Sequence, residues 1–321
     1  MADQPAADSP HQHDDSSLAD IRSRLADAAT VGTYKIGSLA ARLMPGPIAA
    51  AAAASLGFGA SVASQARREM YQRHLKRVNP TLGRTAVRVA TQTAFDSYAR
   101  YYMESFRLPT LSKRVVQRGI VVDGYDHVEA ALAQGNGVIL ALPHLGGWEW
   151  AGRWLTDKGL RMTVVVEPLE PPELFEWFVE LRKDLGMTVV PLGPGAGSAV
   201  LKALRNNDVV CLLCDRDLDR TGVEVQFFGE RTTLPAGPAT LSLRTGAPLL
   251  PVGVYFTPRY NGHHGLVRPP IPSERHGGGL RDDVGRVTQL LAHELEFLIR
   301  RAPEQWHMFQ PNWPSDPGYS D

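Results

Sequence analysis

The stretch Val138-Ile139-Leu140-Ala141-Leu142-Pro143-His144-Leu145-Gly146-Gly147-Trp148-Glu149 decides the reading of the fold. Its first five residues form an uninterrupted apolar run, with the length and composition of a parallel strand buried on both faces. Pro143 and the Gly146-Gly147 pair break regular structure, so the chain leaves the strand at His144, turns over the glycines and begins a helix near Trp148. On one continuous helix His144 and Glu149 would stand roughly 140° apart, too far round to meet. In the strand, turn and helix arrangement Glu149 lies in the first helical turn, where its charge suits the positive end of the dipole. From there it is expected to turn back and hold one ring nitrogen of His144.

Working outward, the same alternation recurs. Helices are predicted over 126–134, 148–158, 171–185, 198–206 and 236–245, interleaved with apolar strands over 138–142, 162–166, 188–192, 209–214 and 249–255, and an amphipathic helix follows over 281–301. Such units imply an α/β fold: a central, largely parallel sheet flanked by helices on both faces. Before it, 33–44, 48–77 and 82–106 read as helices. Residues 1–32 read as a disordered tail, since the first twenty carry five aspartates, no Lys or Arg, and Leu18 as their one bulky apolar residue. The expected organisation is a single domain over 33–315, with a helical, membrane-proximal part over 33–107 and the α/β core over 116–301.

Lysine plus arginine and aspartate plus glutamate balance at 34 each. That excludes the global basic field common among nucleic-acid binders, so no nucleic acid is expected as a partner. Locally the charge is uneven. Ile48 to Ser64 is uncharged and Ala-rich, and the basic run Arg67, Arg68, Arg73, Lys76 and Arg77 follows at once. The apolar segment is short and broken by Gly57 and Gly59, a poor spanning helix, and fits better lying on or dipping into an anionic membrane surface. The competing reading is a buried Ala-rich helix with a solvated basic helix after it. No charged start followed by an apolar stretch suggests a signal peptide, so a cytoplasmic location is expected. Cys211 and Cys214 have redox or metal-ligand spacing but fall on a strand, where positions three apart face opposite sides, and the histidines offer no metal set.

Open parallel sheets carry their sites at the carboxyl ends of the strands, which points to the loops beginning at His144, Glu167, Gly193 and Asp215. A neutral imidazole at His144, oriented by Glu149, suits a general base that takes a proton from a hydroxyl or from water. The motif holds no serine or cysteine, which favours direct attack by a substrate hydroxyl over an acyl-enzyme route. Glu167 is placed to bond a hydroxylated acceptor. Asp215-Arg216-Asp217 reads equally as a solvated loop or as a substrate site, with Arg216 suited to a phosphate and the aspartates to sugar hydroxyls. Arg182, on an otherwise apolar helix, is a further phosphate candidate. The loop from Gly193 to Ser198 is read as a tight turn, with an anion contact as its sharper alternative.

His144, four residues, then Glu149 resembles the motif of glycerolipid-type acyltransferases, and its setting resembles the bacterial lipid A acyltransferase family. Val223 to Gly229 with its Phe227-Phe228-Gly229, the Ala236-Gly237-Pro238-Ala239 helix start, and Thr245 to Pro248 with Pro251-Val252 are similar to that family's blocks, in order. The likeness runs from about Arg67 to the end of the chain. Family members acting on lipid A typically begin with a spanning helix, carry Arg near Glu167 and read Asp-Gln where this chain has Asp215-Arg216. The blocks Cys214 to Asp217 and Thr221 to Glu224 instead resemble the actinobacterial branch, the phosphatidylinositol mannoside acyltransferases. What this resemblance implies is transfer of a fatty acyl chain, usually palmitoyl, from acyl-CoA to the 6-hydroxyl of the mannose on the inositol 2-position, by a peripheral enzyme on the cytoplasmic face of the cell membrane with no separate cofactor. On that implication His144 is the base, Glu149 orients it, and Glu167, Arg182, Asp215, Arg216, Glu224 and Phe228 are candidates for holding acyl-CoA or the glycolipid. A thioesterase using the same pair on water, and a non-enzymatic lipid or nucleotide binding module built on the Gly193 loop, remain open alternatives.

Overall fold

The computed structural model describes residues 31–319. The expected tail therefore lies outside the described residues, apart from Val31 and Gly32, which are helical. The amino-terminal part comprises α1 (31–43), α2 (Gly46–Ala63), α3 (Gln65–Val78), α4 (Arg84–Arg107) and the short α5 (Lys113–Arg118). The single helix expected over 48–77 is two helices, because Ser64 adopts φ −125°, ψ 78° and interrupts the helical path.

Helix α2 packs the opposite way round from an ordinary amphipathic helix. Its buried residues are Ala49, Ala53, Gly57 and Ser61, one small side chain every four residues, and that stripe lies against α4. The approach is close: a Cβ on Gly57 would stand 2.6 Å from Asp96 Oδ1 and 2.7 Å from its Cα. At 100° per residue the large side chains Ile48, Phe58 and Val62 fall away from that stripe and Leu56 at its edge, and all four are exposed. Ile36, Leu39 and Leu43 of α1 are exposed as well. By length and composition α2 is long and apolar enough to cross a membrane.

The core is the alternating part: β1 (Ile120–Asp123), α6 (Tyr125–Ala133), β2 (Val138–Leu142), α7 (Trp148–Asp157), β3 (Met162–Val166), α8 (Pro172–Asp184), β4 (Met187–Pro191), α9 (Ala196–Arg205), β5 (Val209–Leu213), α10 (Gly237–Thr245), β8 (Leu249–Phe256), β9 (His263–Val267) and α11 (Leu280–Arg300), with β6 (Val223–Phe227) and β7 (Glu230–Leu234) forming a separate antiparallel hairpin. The seven-stranded sheet runs β1-β9-β8-β2-β5-β3-β4. It is parallel throughout except between β8 and β9.

Both faces of the sheet are buried, which explains the continuous apolar strands. Ile139 and Ala141 join one core, with Leu204, Leu291, Leu295, Phe227, Trp306 and Trp313; Val138, Leu140 and Leu142 join the other, with Val116, Val128, Trp150 and Leu155. Cys214 and Cys211 divide between those cores in the same way, and both are free thiols. After α11 an irregular segment returns across the carboxyl ends of the strands. Tyr71 donates to Pro303 O (2.6 Å), His74 bonds Met308 O and Asp316, and Arg77 bonds Asp316 (2.9 Å) and lies over the Trp313 ring, so α3 straps this segment down.

Candidate active site

Strand register builds the centre of the site. In the β2–β5 ladder Leu142 stands opposite Leu213, so the residues two beyond, His144 and Asp215, leave adjacent strand ends side by side. The backbone N–H of Cys214 donates to Leu142 O (3.0 Å) and continues the ladder one step past the strands. His144 Nδ1 lies 2.6 Å from Asp215 Oδ1, and the His144 backbone N–H donates to Asp215 Oδ2 at 3.0 Å. The turn that follows needs its glycines: Gly146 has φ +60°, and a Cβ there would stand 2.1 Å from Val254 O.

Asp215 is fully buried. Burial pushes its carboxyl up, but the His144 ring, the Trp306 indole and the His144 backbone N–H reverse that push and hold it below the ordinary aspartate value. An ionised Asp215 makes Nδ1 the donor, which leaves the lone pair of neutral His144 on Nε2. Among the described residues Nε2 has no hydrogen-bond partner, and the side chain is partly exposed. That is the arrangement of a general base: one nitrogen fixed by a buried carboxylate, the other presented to a substrate.

Glu149, in the first turn of α7, does not hold His144, contrary to the sequence-based expectation. Its Oε1 accepts from Arg182 Nη2 (2.7 Å) and Nε (3.0 Å) and from Tyr101 OH (3.2 Å), and both charged side chains are largely buried. A guanidinium offers a carboxylate two charge-assisted bonds, and that pairing takes Glu149 toward α8 and away from the histidine. Its link to the base runs through aromatic rings: Tyr101 stacks on Trp148 (4.1 Å between centroids), and Trp148 meets His144 edge to face at 5.7 Å. The same ion pair occupies Arg182, which was expected to reach for a ligand phosphate.

The other expected site residues divide. Arg216 donates to Glu167 (2.5 Å) and to Gln310, joining the loops after β3 and β5 beside the His144–Asp215 pair. Asp215 was expected to contact substrate, but His144 and Trp306 take both its carboxylate oxygens. Glu224 is exposed on the β6–β7 hairpin, paired with Arg231, and is not brought to this cluster. Phe228 is buried, at φ +52°, between Arg300 and Trp306, one ring removed from Asp215. Ser198 bonds the carbonyl of Gly195 within its own turn.

Sequence reading missed the carboxyl-terminal strap. Trp306 Nε1 donates to Asp215 Oδ2 (2.7 Å), Asn312 Nδ2 donates to Asp215 O (3.1 Å), and the His307 backbone N–H donates to His144 O (2.7 Å). The His307 ring bonds Ser97 Oγ of α4 at 2.9 Å, while its Nδ1 is buried without a partner. Burial, and then the neighbouring His144, push its pKa down to about 3, so it stays neutral. Its signal in the sequence was the density of Trp, His and Asn in a segment with no helical or strand period.

A histidine held by a buried aspartate at adjacent parallel strand ends, its free nitrogen facing solvent, has the geometry that activation of a hydroxyl or water requires. The pattern describing bacterial lipid A biosynthesis acyltransferases matches residues 20–315, and the chain belongs to that family: it is an acyltransferase. It is 44% identical over 228 residues, 70% of either chain, to the phosphatidylinositol mannoside acyltransferase of Mycobacterium tuberculosis (strain ATCC 25618 / H37Rv). To the protein of the same name in Mycolicibacterium smegmatis (strain ATCC 700084 / mc(2)155) it is 38% identical over 268 residues, 81% of this chain and 84% of the relative. A lipid A biosynthesis acyltransferase of Haemophilus influenzae is 28% identical over 199 residues, 61% of this chain and 59% of the relative.

Proposed function

We propose that the protein moves a long-chain fatty acyl group, palmitoyl in our reading, from acyl-CoA to the 6-hydroxyl of the 2-linked mannose of phosphatidylinositol mannosides. The observation that carries this reading is the 2.6 Å contact between His144 Nδ1 and Asp215 Oδ1, with Nε2 left open. The names of the two mycobacterial relatives support the acceptor.

On this proposal Nε2 removes the proton of the mannose hydroxyl as its oxygen attacks the thioester carbonyl. The imidazolium formed is stabilised by the buried Asp215 carboxylate, and the tetrahedral intermediate collapses with expulsion of the CoA thiolate, which recovers the proton from His144. Among the described residues no serine or cysteine side chain bonds His144, in keeping with direct attack. Glu167 and Arg216, neighbours of the base, are the residues we assign to the acyl donor or the sugar. Arg182 and Glu149 we assign to the wall behind Trp148.

The exposed apolar arc of α1 and α2 fits attachment to a membrane, with α3 supplying cations to anionic headgroups; we assign the protein to the cytoplasmic face as a peripheral enzyme. Arg77 is left out of that role, since Asp316, Glu230 and Trp313 engage it. Incubating the protein with palmitoyl-CoA, with and without mannosylated phosphatidylinositol, and resolving the lipids tests the function. The expected result is an acylated glycolipid formed only with the acceptor. Free fatty acid as the main product in both reactions would replace transfer by hydrolysis.

A further inference from the structure

A polar cleft of about 390 Å³ lies where α2, α3 and α4 meet, outside the residues assigned to catalysis. Its lining is Ser61 from α2, Gln65, Arg68, Glu69 and Gln72 from α3, and Arg88, Thr91 and Gln92 from α4. Four of the nine arginines between residues 33 and 107 are engaged: Arg42 by Phe106 O, Arg77 by Asp316 and Glu230, Arg100 by Glu104, and Arg107 by Tyr260. Arg68 and Arg88, which face one another's helix across the cleft, have no hydrogen-bond or ion-pair partner among the described residues. Ser61 lines the cleft from α2; the residue is 4% exposed, and its hydroxyl, open to solvent, bonds no protein group among the described residues. Thr91 beside it is satisfied, donating to Val87 O at 2.7 Å.

The chemistry of the lining is specific. Two guanidiniums suit a phosphate, which they bond bidentately. Glu69, already accepting from Gln65 at 2.8 Å, lowers the net charge of the lining to that of a single cation, the complement of a phosphodiester rather than of a multiply charged phosphate. The carboxylate, the amide of Gln72 and the amide oxygen of Gln92, whose NH₂ donates to Asp96 at 2.8 Å, suit hydroxyls. The cleft also has an apolar border: Val62, next to Ser61, and Phe58, one turn earlier, belong to the exposed arc of α2. A ligand with a phosphodiester, hydroxyls and hydrocarbon tails meets all three features. Its volume falls within the range of small-molecule sites.

We propose that this cleft binds the headgroup of an anionic polyol phospholipid, with the phosphodiester between Arg68 and Arg88, the polyol hydroxyls on Glu69, Gln72 and Gln92, and the acyl chains over Phe58 and Val62. The site is separate from the His144 centre; it rests on the membrane-facing reading of α1 and α2. It would seat the enzyme on membranes containing such lipids rather than on any anionic surface.

The test uses the full chain and two probes. Flotation compares vesicles of phosphatidylcholine containing phosphatidylinositol with vesicles of matched charge containing phosphatidylserine; calorimetry then measures soluble glycerophosphoinositol. The wild type is expected to prefer the phosphatidylinositol vesicles, and Arg68→Gln/Arg88→Gln to lose that preference, with a fall on the order of tenfold. Arg67→Gln/Arg73→Gln removes the same charge from the exposed surface and is expected to weaken both vesicles alike while keeping the preference. Equal losses in the two double variants would overturn the site in favour of diffuse surface charge. Glycerophosphoinositol is expected to bind saturably to the wild type and not to Arg68→Gln/Arg88→Gln; no binding overturns the site even where vesicle docking holds. Competition by inorganic phosphate at equal concentration would reduce it to a free-anion site and overturn the lipid assignment. His144→Ala is expected to leave every one of these readouts in place, so loss of catalysis and loss of the cleft are separable.

Discussion

Replacing Asp215 by Asn removes one charge from the centre of the site and almost none of its volume. On the proposed mechanism an imidazolium forms in the transition state on His144, whose Nδ1 lies 2.6 Å from Asp215 Oδ1. With charge centres about 4 Å apart and an effective dielectric near 20, the lost attraction is about 4 kcal/mol. At about 1.4 kcal/mol per decade this slows the chemical step roughly a thousandfold. The amide adds a second fault, since it can turn its NH₂ toward Nδ1 and favour the tautomer that places the proton on Nε2. The assay is single-turnover acyl transfer from palmitoyl-CoA to mannosylated phosphatidylinositol, with thermal unfolding measured alongside. We expect a loss of roughly 10² to 10⁴ in rate in a protein that remains folded. Glu149→Gln is the comparison, since it leaves the His144–Asp215 contact in place. A folded Asp215→Asn within tenfold of wild type, beside a Glu149→Gln that loses a thousandfold, would refute the reasoning and return the orienting role to Glu149.

Other consequences concern the frame around the base. Glu149→Ala leaves Arg182 buried without its carboxylate and should destabilise the protein by about 3–5 kcal/mol, whereas Glu149→Gln/Arg182→Met should recover much of that in denaturant titrations. Trp306→Phe keeps the ring but deletes the donor to Asp215 Oδ2, a charge-assisted bond, and should cost about 1.5–3 kcal/mol in stability or transition-state binding, read from unfolding and from kcat. His307 is neutral in the fold with a pKa of about 3, so below its unfolded value near 6.5 the unfolded chain binds a proton that the folded one refuses. Stability should therefore fall by up to about 1.4 kcal/mol per pH unit from about pH 6.5 downward, and His307→Gln should flatten that slope in unfolding curves between pH 7 and 5. Asp215 and Asp316, both depressed in the fold, act in the same sense only further down, below the ordinary aspartate value.

Much of the sheet was legible because its central strands are buried on both faces, so 138–142, set between Gly137 and Pro143, and 209–214, set between Asp208 and Asp215, stood out as apolar runs, the second ending one residue earlier in the structure. The Pro143 to Glu149 turn was legible too, since only a strand end followed by glycines accommodates that order. What sequence spacing could not reveal was adjacency. β2 lies beside β5 although β3 and β4 come between them in the chain, and that pairing sets Asp215, 71 residues away, against His144. Local spacing offered Glu149 instead, a partner that Arg182, on a different helix, had already taken. The strand β9 escaped notice because His263-His264-Gly265 breaks its apolar pattern, and the strap at 303–316 because it has no period at all. The polarity of α2 was hidden for a related reason: its composition is apolar all round, and only packing against α4 shows that the small residues face inward and the large ones outward.

The central claim is that His144 is the base that activates the acceptor hydroxyl. Its most direct test is His144→Ala in a single-turnover transfer assay with palmitoyl-CoA and mannosylated phosphatidylinositol, in protein shown to be folded and still bound to acceptor vesicles. The account predicts transfer slowed by roughly 10² to 10⁴. Transfer at close to the wild-type rate would contradict it.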